Sequence, residues 1–169
     1  MRATVAAAFF FAAVWAHAQG GGPPALRWQR VRSYDGKFSF SMPGQPAYKT
    51  NTMTARNGQP VGHTTYLVDF GRSAYLVATT DYDNKTRLSL DRAIEGVLSS
   101  WEKPRIVERR REPLYGHPGQ TVDFASGKYR VIVRAFTVGG RLYQLNFVER
   151  MDEFVPAHAD AFMRSFQLR

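Results

Sequence analysis

Few side chains in this sequence are spaced to do chemistry, and none stands in a known catalytic motif. Three histidines follow the N-terminal segment: His63, His117 and His158. None lies four residues from another and none has an acidic neighbour, so the spacing of a zinc site is missing. His63 has the best company. Counting back from the turns on either side of its strand sets it opposite Thr52 and Thr80, with Asp81 next along the chain. A histidine among hydroxyls can serve as a general base, which makes His63, Thr80 and Asp81 the candidate centre of a small hydrolase or metal-dependent enzyme. A polar patch at a sheet end accounts for the same residues. No serine sits in a nucleophile-elbow sequence, so the commonest hydrolase route is absent.

Asp81, Asp83 and Asn84 place oxygen ligands in one short loop, a composition that a hard cation such as calcium accepts. The spacing is not that of a complete calcium loop, and Asp and Asn favour turns and helix starts for local reasons. Neither a metal nor any other cofactor is expected. Arg109-Arg110-Arg111, flanked by Glu108 and Glu112, puts charge on both faces of a predicted strand. Only an edge strand accommodates that, and charges there block unwanted pairing. The same run could bind anions: lipid headgroups, polysaccharide or an acidic partner. Arg134 is the one charge that the hairpin register below sets on an apolar face, where it needs a partner such as Asp69 or Asp123, or a ligand.

Composition narrows the classes. The 169 residues carry 23 basic against 14 acidic side chains and 44% hydrophobic residues, an ordinary globular balance with a basic excess. There is no cysteine, which excludes disulfides, thiol catalysis, thiolate metal sites and lipid attachment through an N-terminal Cys. Arg2, an apolar run from Val5 to Trp15 and Ala16-His17-Ala18 have the three parts of an export signal, with cleavage expected after Ala18. The run is too short to span a bilayer, which takes about 20 apolar residues, and no second one follows. The expected organisation is a signal peptide over 1–18, a flexible Gly/Pro linker over 19–27 and a single domain over 28–169. Nucleic acid is not an expected partner of an exported chain.

The elements that must position these residues follow from periodicity. Phe38, Phe40 and Met42 alternate with polar residues, as in a half-buried strand stopped at Pro43-Gly44-Gln45-Pro46. Asn57-Gly58 and Gly71-Arg72 have two-residue hairpin length, which predicts a three-stranded meander ending near Tyr82. From Ser89 the period becomes helical, with Leu90, Ile94, Val97, Leu98 and Trp101 on one face, Ser89 as N-cap and Pro104 beyond the end. Gly96 within that helix implies a close approach to the sheet. Strands over Ile106 to Pro113 and Gly119 to Ala125 precede a hairpin from Lys128 to Val148 around Gly139-Gly140. That turn sets Phe136 opposite Tyr143, Arg134 opposite Leu145 and Ile132 opposite Phe147. A short helix over Pro156 to Phe166 closes the pattern, with Phe154, His158, Phe162 and Phe166 on one stripe. Both sheet faces are partly apolar, so both need cover.

Phe38 through Pro46, the Tyr75 to Tyr82 strand, Gly116-His117-Pro118-Gly119, the Tyr129 to Arg134 strand, Leu142-Tyr143-Gln144 and Phe162-Met163-Arg164-Ser165-Phe166 occur in an order that resembles exported bacterial proteins of unknown function with a PsbP-like or DcrB-like fold. The resemblance spans Phe38 to Leu168. It implies an α+β fold, an antiparallel sheet of about six to seven strands covered by two or more helices in an α/β/α sandwich. It transfers no catalytic residue. The functional expectation is an exported, periplasmic or secreted, non-enzymatic binding or assembly module of the bacterial envelope. Its partner would be an anionic envelope component or another envelope protein. Clustering of His63, Thr80 and Asp81 in one concave pocket would favour the enzyme instead.

Overall fold

Strands dominate, as the period-two segments require. A computed structural model describes residues 27–55, 58–82, 88–114 and 116–169. The signal segment, most of the linker, Asn57, Asp83 and Asn84 lie outside the described residues.

Seven strands form the large antiparallel sheet: β3 (Ala47–Thr54), β4 (Pro60–Asp69), β5 (Ser73–Asp81), β6 (Arg105–Arg111), β7 (Gly119–Ser126), β8 (Tyr129–Val138) and β9 (Arg141–Arg150). Their spatial order is β3-β4-β5-β9-β8-β7-β6, two meanders joined where β5 pairs β9 from Ser73 opposite Glu149 to Asp81 opposite Arg141. β6 is an edge strand, as the arginine run requires. The Gly139-Gly140 register is the expected one, Phe136 opposite Tyr143 and Arg134 opposite Leu145. So is that of Gly71-Arg72, with His63 opposite Thr80.

The first hairpin differs. Asn51, not Thr52, opposes His63, and Thr52 opposes Gly62. The pairing closes at Ala55 opposite Gln59: the Ala55 amide donates to the Gln59 carbonyl at 2.7 Å and the Gly58 amide to the Ala55 carbonyl at 2.8 Å. Gly58 takes a φ of +83°, the left-handed residue that closes such a loop.

A second sheet, not expected from the sequence, has the order β1-β2-β10, with β1 (Trp28–Arg32), β2 (Phe38–Pro43) and β10 (Gln167–Leu168). It shares one face of the large sheet with helix α2 (Pro156–Ser165), and there Phe38, Phe40, Met42 and Phe162 are buried against Tyr75, Tyr143 and Phe147. Helix α1 (Leu90–Leu98) covers the other face, burying Ile94, Val97 and Leu98 against Val122, Val133 and Val148. Among the described residues there are two helices, and the small sheet supplies the remaining cover.

Ser89 caps α1, its hydroxyl accepting from the Arg92 amide at 3.3 Å. The helix ends at Leu98, so Trp101 lies beyond it, half-buried and edge-on to Phe124 at 5.9 Å between ring centres. Gly96 meets nothing within 4 Å where a Cβ would stand. The close approach inferred from it is therefore not present. At α2 the Glu149 carboxylate caps the helix start, accepting from the Val155 amide at 2.8 Å and lying 3.3 Å from His158 Nδ1.

Candidate functional site

Strand alternation decides the fate of the His63 group. His63 and Thr80 are cross-strand neighbours, with Nδ1 and Oγ1 2.9 Å apart, and both side chains are buried. Burial lowers the His63 pKa below its ordinary 6.5, because the charged ring would lose its hydration. Asp81 is one residue further on and therefore projects from the opposite face. The structure brings two of the three candidates together and sets the third through the sheet.

Asp81 instead belongs to an arginine that the sequence reading passed over. Arg141 donates from Nε and Nη2 to the two carboxylate oxygens of Asp81, the latter at 2.9 Å, and from Nη1 to Asp35. Only 14% of the Arg141 side chain is exposed, and it stands over the Tyr143 ring at 5.9 Å. Burial opposes its charge, yet the hydrogen bonds to Asp81 and Asp35 outweigh that and raise its pKa. Burial likewise works against ionisation of Asp35, but bonds from Arg141, Ser33 and the Lys37 amide hold its carboxyl below the ordinary 3.8. The sequence signal was the hairpin count, which places Arg141 at the mouth of β8–β9; its partner strand β5 is too distant in sequence for that count to reach.

The arginine run divides between the two faces. Arg109 donates to Glu95 at 2.8 Å and to Asp91 at 3.4 Å, and Arg111 donates to Asp91 at 2.8 Å, so both are clasped by α1. Arg110 faces the other way, 3.3 Å from Glu108 and 55% exposed. The single basic edge expected from the sequence thus separates into an α1 clasp and, on the other face, Arg110 paired with Glu108.

Arg110 and Arg134 meet across a cleft of about 80 Å³ beneath α2, with Thr121 and Met163 in its walls; Glu108, Asp123 and Asp160 line it too, paired with Arg110, Arg130 and Arg164 respectively. Neither Asp69 nor Asp123, the partners expected for Arg134, holds it. Asp69 accepts from the Gly71 amide at 2.7 Å, and Asp123 takes a forked bond from Arg130, one arm at 2.8 Å. Arg134 reaches Thr121 Oγ1 at 3.4 Å, the Met163 carbonyl at 3.5 Å and Glu112 at 3.5 Å. Each is longer than an ordinary N–H···O bond of about 2.7–3.2 Å, although only 20% of the side chain is exposed. The acid Glu112 is itself engaged by the Thr121 hydroxyl. From the sequence Glu108 and Glu112 were only flanks of the arginine run and Met163 only part of the closing motif; the edge assignment of β6 together with the β7–β8 register would have placed the two acids beside Arg134.

Two layers over the two faces of a seven-stranded antiparallel sheet, with the first and last strands of the chain forming a small sheet on one side, define a PsbP-like fold. The likeness is to the solution structure of cyanobacterial PsbP (CyanoP) from Synechocystis sp. PCC 6803, with a TM-score of 0.56 and 13% identity over 90% of this chain and 98% of that one. A protein of unknown function from Pseudomonas aeruginosa, PA94, aligns over 81% of this chain and 92% of its own at 9% identity and a TM-score of 0.44. No family model matches the sequence, and no curated protein does. No helix among the described residues is long and apolar enough to cross a membrane.

Proposed function

We propose that the protein is an exported, non-enzymatic binding or assembly module of the bacterial envelope, and that it grips an oxyanion, a phosphate or carboxylate of an envelope component, at the cleft of Arg110 and Arg134. The observation that carries this reading is the state of Arg134. A guanidinium withdrawn from water loses hydration that three long contacts restore only in part, so a bidentate acceptor in the cleft would complete its shell. The cleft volume suits the head of such a group and falls well short of the roughly 300–1,000 Å³ that encloses a small-molecule substrate. The basic excess favours anionic surfaces at long range. Asp81 projects from the opposite face to His63 and so does not orient it as the Asp of the expected centre would.

Cosedimentation with purified envelope fractions across a salt series tests it. Wild-type binding falls as salt rises, because attraction is screened over about 8–10 Å at physiological strength. Arg110→Gln and Arg134→Gln each weaken binding about tenfold, the size expected for a charge-assisted bond. Arg109→Gln and Arg111→Gln leave binding within about twofold, since those side chains serve α1. Equal binding by the Arg110 and Arg134 variants, or salt-independent binding, overturns the reading.

A further inference from the structure

The two edges of the large sheet are unlike. Charged residues fill five of the seven positions of β6, and its register breaks between Ile106 and Glu108, so that Val107 bulges out of the ladder. Both features block the addition of another strand. The opposite edge, β3, has neither. Its eight residues hold an unbroken register with β4 from Ala47 to Thr54, carry one charge, Lys49, and contain no proline or glycine.

The phase of the ladder identifies which groups are open. The Ala55 amide bonds inward to Gln59, and in an antiparallel pair alternate residues bond inward. The backbone amides and carbonyls of Tyr48, Thr50, Thr52 and Thr54 therefore face outward, and all four residues are exposed. Three are threonine, a residue that suits strand pairing. Beside them Tyr48 stacks on Tyr34 at 5.8 Å between ring centres, with Tyr34 88% exposed, an apolar ledge along the open edge.

We propose that β3 is a self-association edge, at which two copies of this chain pair β3 against β3 antiparallel about a two-fold axis at Asn51. The strand is complementary to itself in that register. Tyr48 opposes Thr54 and Thr50 opposes Thr52, so every outward residue is engaged in about eight main-chain hydrogen bonds across the axis. Lys49 opposes Met53, so the one charge on the strand never meets its copy. The two large sheets become one, and the unguarded edge of each is covered by the other. The net charge of +9 opposes the approach of two copies at long range, and salt relieves that repulsion. Association at β3 therefore strengthens with salt, the opposite of binding at the Arg134 cleft, and the two readings fail separately.

Sedimentation equilibrium of the purified protein, at low and at high salt, provides the test. The expected result is a monomer–dimer equilibrium whose dissociation constant falls as salt rises. Thr50→Pro removes an outward-facing amide and spares the β3–β4 ladder; it raises the dissociation constant tenfold or more. Thr50→Lys combined with Thr52→Lys sets like charges face to face across the axis and has the same effect, with circular dichroism and unfolding midpoint near wild type. Arg110→Gln, remote from the edge, leaves the equilibrium unchanged. A wild-type protein that stays monomeric at both salt concentrations overturns the proposal. So does a dimer that survives the lysine pair, which would place the contact on another face.

Discussion

At the scale of single residues, cross-strand registers decide which side chains meet. His63 finds Thr80 because the Gly71-Arg72 turn has the two-residue length its sequence suggests. It misses Thr52 because the neighbouring hairpin closes at Ala55 opposite Gln59, one residue out of the expected register, which sets Asn51 opposite His63. The buried imidazole carries a pH prediction. Its folded pKa lies below the ordinary 6.5 because burial disfavours the charged ring, so the unfolded chain takes up the proton first as pH falls. Stability is complete above about 6.5 and is lost as pH drops from there toward the lowered folded value. Denaturant midpoints measured from neutral pH down to about 5 should fall for wild type and fall less for His63→Gln. Asp35, held below 3.8, titrates beneath this window. An unchanged slope in the variant would show that the ring is protonated as easily folded as unfolded.

Among elements, the helices show what periodicity does and does not convey. α2 was legible in position, and Phe162 of its expected stripe is buried edge-on to Tyr75 at 5.5 Å; Phe154 and the buried Phe166 lie just outside the helix, whose buried face is completed by Ala159 and Met163. Phe162→Ala should lower unfolding free energy by about 3–5 kcal/mol in urea titration, the range for emptying a packed aromatic site. The apolar stripe of α1 extends one turn too far in the sequence, because Trp101 continues the spacing while the backbone leaves the helix at Ser99. A half-buried ring beyond the helix end should cost less, about 1–3 kcal/mol on truncation to Ala. Gly96 teaches the converse. Its presence suggested a tight crossing, yet the space where a methyl would stand is empty. Gly96→Ala should therefore stabilise the protein by about 0.5–1 kcal/mol, seen as a raised thermal midpoint. A lowered midpoint would mean that the helix does approach a neighbour there.

Over the whole molecule, local pattern was enough for the two meanders and not for their union. Each hairpin is announced by a turn, whereas the β5–β9 seam and the β1-β2-β10 sheet join segments with no sequence signal between them. Arg141 stands at that seam. Through Asp81 it fastens the end of β5 to β9, and through Asp35 it fastens the loop after β1 to both, so one guanidinium ties the small sheet to the large one. Arg141→Gln leaves two carboxylates facing each other without their cation. It should cost about 1–2 kcal/mol, discounted because both acids are partly exposed. Chemical unfolding followed at neutral pH checks this, and a variant as stable as wild type would show that the guanidinium does not tie the two sheets. The candidate cleft has the same history: Arg134 was visible as a charge on an apolar face, while its surroundings required β6, β7 and α2 to be placed together.

The central place of β2 in the small sheet has a consequence for the order of events in the cell. Both of its edges are taken, by β1 with Val31 opposite Phe40 and by β10 with Leu168 opposite Phe38, and the Arg169 amide donates to the Lys37 carbonyl at 2.8 Å. Any machine that delivers this chain N-terminus first presents β2 long before residues 167–169 arrive. Phe38 then waits without its edge partner and without Phe166, which stacks on it at 5.4 Å, so the domain closes in one late step rather than growing as it emerges. Loss of residues 167–169 would therefore act first on a strand far earlier in the sequence, by loosening β2 from the fold.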